Sequence, residues 1–275
     1  MSSLYRFVSF PVFVDLVQRR ALTFVHFRSW DDPYEGYTLR ALETVQGRTE
    51  IQAWLSQKQR AAFDHATPDV LRMFCDTVFL QCWTKLRESD ALWRIYGADG
   101  FGVRIEIKST DLKALEVQQV AVKYGAPSLT EELKRVFAAP GKIELKEVFA
   151  SKRSAFEHEH EVRLITSPQL QWLENQNPVP AEILSVMPSL LDQLVAKGDL
   201  SEAEKVTAMT KFAEKNSPRP QFHHVDFASQ PHFLRSVLVH PRAPDWFRRT
   251  VDAFCSAHGV PFLGKSKLYT FERSN

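Results

Sequence analysis

Residues 157–165 read EHEHEVRLI, with Glu157, Glu159 and Glu161 at every second position and an apolar run behind them. On a strand these three glutamates share one face, while His158, His160 and Val162 share the other. A preceding helix that reaches Glu157 leaves Glu159 and Glu161 as the pair. Two close carboxylates where a strand enters a core suit general acid–base work or the stabilisation of an oxocarbenium-like centre. The same spacing suits a solvated edge strand whose charges discourage aggregation, and the apolar VRLI counts against that. A metal site is the third reading, with His223 and His224 as further donors. His158 and His160 lie two apart, however, and match no HExxH-type spacing, so no metal ligand is assigned.

Other residues could bind rather than react. Arg6 stands between Tyr5 and Phe7 in an apolar stretch, where a guanidinium is costly unless it faces outward or meets an anion such as a phosphate. RSWDDPYEG (28–36) carries Asp31, Asp32 and Glu35 around Pro33. This is ordinary turn chemistry, although Trp30 and Tyr34 beside it suggest the rim of a pocket. In LWRIYG (92–97), Trp93 and Tyr96 fall on one helical face, either as core or as rings that stack on a planar ligand. G-x-G-x-x-G, GxxxxGK[ST] and GxSxG are all absent, so Rossmann, P-loop and α/β-hydrolase readings lack their signatures. Cys82, within VFLQCW, reads as a buried core thiol.

The elements that must position these residues follow from periodicity and punctuation. LYRFVSF (4–10) reads as a strand, 11–20 as a helix opened by Pro11, and LTFVHF (22–27) as a second strand. Residues 38–74 read as helical around a break at Pro68. Strands are expected over 78–83, 102–107, 117–124, 160–166, 233–240 and 268–272, with helices over 89–97, 130–159 and 244–259. The segment 181–216 reads as a helical hairpin lobe turning at KGDLS. The whole is expected to be a single α+β domain over 1–275, with a mixed or antiparallel sheet, peripheral helices and that lobe as an insertion.

The bulk properties exclude more than they identify. The 275 residues carry a net charge of +2, too mild to mark a nucleic-acid binder by charge. Cys75, Cys82 and Cys255 are odd in number and lack CxxC spacing, which fits a reduced, cytoplasmic setting better than a disulfide framework. Neither a signal peptide nor a membrane-length apolar run is read.

LYRF, DDPYEG, SDALWRIYG with GVRIEI, and the late EHEVR together resemble an uncharacterised bacterial family, one of the domain-of-unknown-function families. The similarity spans about residues 4–166, with an echo in SVLVHP and GKSKLY. More distantly, the order of elements is similar to that of the ADP-ribosyltransferase superfamily. There a first strand carries an arginine, as Tyr5-Arg6 does here, and a late strand opens on E-x-E and an aliphatic residue, as Glu159-His160-Glu161-Val162 does. Ser29 is the nearest candidate for that superfamily's serine motif, whose full triplet is absent here.

That resemblance implies an ADP-ribosyltransferase-like fold and NAD as substrate, with ADP-ribose passed to a protein, a nucleic acid or water. Glu161 would hold the ribose 2′-hydroxyl and stabilise the developing cation, and Glu159 would orient the acceptor. Arg6 would clamp the pyrophosphate and Ser29 would support the nicotinamide end, with Trp93 or Tyr96 stacking on the base. Asp32 and Glu35 would complete the rim. The reading requires Arg6 and Glu161 to line one cleft. Such enzymes are often toxins or phage-defence effectors. The rivals are a nucleotide-binding sensor without turnover and a metal-dependent nuclease built on the His/Glu residues; the oligomeric state is left open.

Overall fold

The computed structural model describes residues 2–30, 32, 34–41, 44–58, 78–126, 128–136, 138, 144–167 and 221–270. The expected helices over 59–74 and the lobe at 181–216 lie outside them. Strand β1 (Ser3–Ser9) runs directly into helix α1 (Phe10–Arg19), which has Pro11 in its first turn, where a missing N–H costs nothing. Arg20, at φ 54°, ends the helix in the left-handed region and sends the chain into β2 (Ala21–His26). Helices α2 (Tyr37–Ala41) and α3 (Val45–Lys58) follow, then β3 (Phe79–Thr84). Helix α4 (Asp90–Tyr96) starts at Ser89, whose hydroxyl accepts from the Leu92 N–H at 3.3 Å, as an N-cap serine does.

Next come β4 (Gly102–Lys108), β5 (Gln118–Ala121), β6 (Lys123–Tyr124), helix α5 (Leu129–Val136) and β7 (Ser151–Lys152). After β8 (Glu161–Thr166) the description resumes with β9 (Phe222–Asp226), β10 (Ser236–Val239), helix α6 (Asp245–Ala257) and β11 (Phe262–Lys265).

Nine of these strands form one mixed sheet in the order β11-β10-β4-β1-β3-β2-β9, with β8 on β3 and β5 on β8. The fold is therefore α+β with a mixed sheet. One face carries Leu4, Val8, Leu22, Phe24, Ile105 and Leu164 and packs under α1 and α6 through Phe13, Leu16, Phe247 and Val251. Burial of each such side chain contributes about 1.5–3 kcal/mol.

One feature of the pairing bears on the site. Strand β3 gives one edge to β8 over its whole length, from Phe79 opposite Thr166 to Thr84 opposite Glu161. Its other edge is shared: β1 meets it with Tyr5 opposite Thr84, and β2 meets it with Val25 opposite Leu80 and His26 opposite Phe79. Between these contacts the sheet is split beside Gln81–Trp83. The Gln81 side-chain amide crosses to the Thr23 carbonyl at 2.9 Å in place of a backbone ladder.

Several expectations are corrected. Residues 154–159 form a 3-10 helix, and the strand begins at Glu161, so Glu157 and Glu159 never lie on it. His160, at φ 43°, makes the reversal between the two. The helix expected over 130–159 is instead α5, a 3-10 turn at Leu145–Phe149, and β7. Leu268–Thr270 is a turn rather than a strand, closed by the Thr270 N–H on the Lys267 carbonyl. The last pairing falls to β11, whose mixture of Gly264 and alternating exposure gave no periodic signal.

Candidate functional site

Glu161 opens β8 on the face of the sheet opposite the α1 and α6 core, in a row with Thr84 and Tyr5. Arg163, two residues on, shares that face and is completely buried. Its Nε donates to Glu161 at 2.8 Å, its NH1 to the Phe149 carbonyl at 2.8 Å, and its NH2 lies 3.1 Å from Glu35. The Trp30 ring lies 4.5 Å from the guanidinium carbon, a cation–π contact strengthened by desolvation.

Lys152, at the end of β7, completes the cluster. Its ammonium has three N–H donors, and three carboxylates surround it: Glu159 at 2.7 Å, Glu161 at 3.0 Å and Glu35 at 3.1 Å. Among the described residues two cations thus face three carboxylates, a formal charge of −1 within the cluster. A buried group of this kind persists when every polar atom is satisfied, and here nearly all are.

The electrostatics follow from that balance. Burial works against the charged form of Glu161, but the Arg163 guanidinium, the Lys152 ammonium and a hydrogen bond from the Cys82 thiol bring its carboxyl down to about 2. Burial likewise opposes the charge on Lys152 and Arg163, and the surrounding carboxylates outweigh it and hold both above their ordinary ranges. Glu35 differs. Burial pushes its carboxyl up, and the pull of Arg163 and Lys152 does not reverse this, because Glu161 repels it.

The cluster has one open side. The Tyr96 hydroxyl, at the end of α4, donates to Glu159 Oε1 at 3.2 Å, and its ring is 44% exposed. Burial, then the field of Glu159, raises the Tyr96 hydroxyl pKa. Behind Glu159, the left-handed His160 is held where Thr84 Oγ1 donates to the Glu159 carbonyl at 2.6 Å and the Lys85 N–H donates to the His160 carbonyl. A non-glycine residue in that region costs of order 1 kcal/mol and persists only when its neighbours hold it. Over the cluster, Asp32 pairs with Arg153 at 3.1 Å, and the Arg153 guanidinium lies 4.7 Å from the Tyr34 ring.

The residues expected from sequence therefore divide. Glu159, Glu161, Glu35 and Tyr96 meet in one cluster, and Asp32 stands at its rim. Trp93 does not join them. It is fully buried, lies edge-on to Phe7 and His240, and donates its indole N–H to Glu88 at 2.8 Å, so its ring has no face for a ligand. Ser29 is taken up locally, its hydroxyl donating to the His26 carbonyl at 2.6 Å.

Arg6 stands opposite Ile105, on the core face of β1, while Glu161 is on the other face. The shared cleft expected of them is therefore not built by the strand faces themselves. The Arg6 guanidinium makes no hydrogen bond or ion pair among the described residues. Burial lowers its pKa, and Cys82 and Tyr96, both neighbours of the cluster, act against this.

Lys152 and Arg163 were missed by sequence reasoning. Arg163, an arginine inside the apolar VRLI, carried the same signal as Arg6. Lys152 carried none. His158 and His160 are exposed, whereas His223 rests on Phe79 at the far end of β8 from Glu161. Among the described residues no group of three or more His, Cys, Asp or Glu side chains is placed to hold a metal ion. No helix of the described residues is long and apolar enough to cross a membrane.

No curated protein and no solved structure matches the chain. Residues 92–164, which hold most of α4, and β4, β7, Lys152, both glutamates of E-x-E and Arg163, match the model of a family described as "Protein of unknown function (DUF2971)".

Proposed function

We propose that this protein uses NAD at the Glu159 side of the charge cluster, transferring ADP-ribose to a macromolecular acceptor or hydrolysing NAD. The observation that carries the reading is the excess of one carboxylate over two cations, with Glu159 on the open side beside Tyr96. A fixed negative excess in a water-poor site favours a reaction whose transition state gains positive charge. Cleavage of the nicotinamide glycosidic bond is such a reaction: the bonding pair leaves with nicotinamide and the ribose carbon turns cationic. In this reading Glu159 faces the ribose and Tyr96 borders the base; Arg6, which the resemblance placed at the pyrophosphate, stands on the other strand face and is given no role. Glu161 and Glu159 are both buried, at 3% and 8% exposed, with both oxygens engaged. Glu161 holds the two buried cations Lys152 and Arg163, whereas one partner of Glu159 is the half-exposed Tyr96, which a ligand can displace.

The test is NAD turnover by the purified chain, followed by release of nicotinamide. Glu159→Gln, which keeps the shape, is expected to lower turnover by about 100-fold or more with the fold intact by circular dichroism. Unchanged turnover in that variant removes the reading. The engagement of Glu161 and the placing of Arg6 on the opposite strand face favour a second reading, a nucleotide binder without turnover. Calorimetric binding of NAD that Tyr96→Ala weakens, with no nicotinamide released by the wild type, selects it.

A further inference from the structure

We infer that Lys152 is a positioning residue of this site, acting through Glu159, and that Glu35 is the carboxylate the cluster carries in excess. The first half rests on the proposed NAD reaction; the second rests on charge and geometry.

Lys152 offers its N–H donors to carboxylates from three separate elements: Glu35 from the loop before α2, Glu159 from the 3-10 turn, and Glu161 from β8. Glu161 has Arg163 and the Cys82 thiol as further partners, and Glu35 has Arg163. Glu159 has Lys152 as its one ion-pair partner among the described residues, and the exposed Tyr96 hydroxyl as its other hydrogen bond. Its direction is therefore set by Lys152. The Phe156 ring, 4.7 Å from the Lys152 ammonium, closes the remaining side.

Glu35 stands differently. It faces two cations, Lys152 and Arg163, and shares them with Glu159 and Glu161. Without it the cluster is neutral. Tyr124, whose hydroxyl accepts from the Glu161 N–H at 2.7 Å, adds no charge near neutral pH. Arg40, on α2, reaches only the Glu35 backbone carbonyl, and Arg153 is taken by Asp32. Glu35 thus competes with Glu161 for the same two cations but, unlike Glu161, lies off the sheet, on the loop before α2.

The inference separates Lys152→Met from the double variant Lys152→Met/Glu35→Gln. Removing the ammonium takes the formal charge of the cluster from −1 to −2, and adding Glu35→Gln returns it to −1. The double variant is expected to fold with a melting temperature closer to the wild type than that of Lys152→Met, yet to keep kcat for NAD lowered by about 100-fold or more, with KM little changed. The acid limb of its pH–rate profile is expected to move to higher pH, since the remaining carboxylates have lost a cation. A merely structural lysine predicts the opposite, recovery of kcat along with the fold, and that result overturns the inference.

Carboxyl-carbon nuclear magnetic resonance titration gives a readout independent of turnover. The Arg163 guanidinium and the Lys152 ammonium hold the Glu161 carboxyl below its ordinary value, and its midpoint is expected to rise when Lys152 is replaced. If the wild type releases no nicotinamide, the reaction fails while this titration still tests the lysine. An unmoved midpoint refutes the role of Lys152 whatever the reaction.

Discussion

Two glutamate-centred networks lie on the same face of the sheet, on either side of Tyr5, and they are built on opposite principles. Around Lys152 and Arg163 the carboxylates outnumber the cations, and each cation spends its donors on them. Beside β4, Arg104 is equally buried, lying 4.9 Å over the Tyr5 ring, but it meets a single carboxylate, Glu88, at 3.4 Å. Its Nε has no hydrogen-bond partner among the described residues. Glu88 itself is occupied by neutral donors, the Trp93 indole at 2.8 Å and the Ser266 hydroxyl at 3.0 Å. That network fastens α4 and the segment after β11 to the sheet. A fastening tolerates one unsatisfied atom. A cluster that carries net charge in the interior leaves no such slack, and its atoms are almost all engaged.

The contrast breaks most severely at Lys152. Lys152→Met leaves three carboxylates on one guanidinium, and loss of one partner from a buried ion cluster costs about 3–5 kcal/mol, readable as a lowered urea midpoint.

Acid is the next lever. Glu161 is held at about 2, below its ordinary value, so its contribution is present above the unfolded carboxylate pKa and is lost as pH falls from about 4.5 toward 2. A depression of this size corresponds to a contribution on the order of 3 kcal/mol. Glu161→Gln is expected to be less stable at neutral pH and to lose less on acidification, measured by thermal melts across that window. A variant with the wild-type acid slope removes Glu161 as the source. Glu35 carries the opposite sign. Its raised pKa gives stability below the unfolded value that is lost as pH rises through the folded one.

Arg104→Met sharpens the comparison from the other side. The substitution removes an unpaired buried Nε and leaves Glu88, which is partly exposed, to water and its neutral donors. A stability within about 1 kcal/mol of wild type is expected; a loss as large as that of Lys152→Met shows the two networks to be alike. The smallest effect belongs to Glu35→Gln, which neutralises the cluster and is expected to be neutral or slightly stabilising, within about 1 kcal/mol, in the same urea titration.

Much of this was legible beforehand, for local reasons. β1, α1, β2, β3, α4, β4 and α6 fall within a residue or two of their expected spans, because each is an apolar or periodic run, and several are marked at one end by proline, glycine or serine. The pair Glu159 and Glu161 and the acidic loop at Glu35 were visible as charges beside apolar sequence. Their strand placement was not, because the left-handed His160 has no sequence signal short of glycine. Trp93 was misjudged because spacing on a helix shows which residues share a face but not whether that face meets a ligand or a sheet.

Residue order by itself determined most of the strands and helices, and that carboxylates and arginines would stand where strands enter the core, since periodicity is a local property of the chain. Tertiary structure alone decided that Glu35, Lys152 and Arg163 meet, from three elements up to 128 residues apart in sequence. It also decided that Arg6 lies across the sheet from Glu161. Both depend on strand order and register, and a one-residue shift in register sends a side chain to the other face. The −1 charge of the cluster is therefore a property of the assembled sheet rather than of any motif within it.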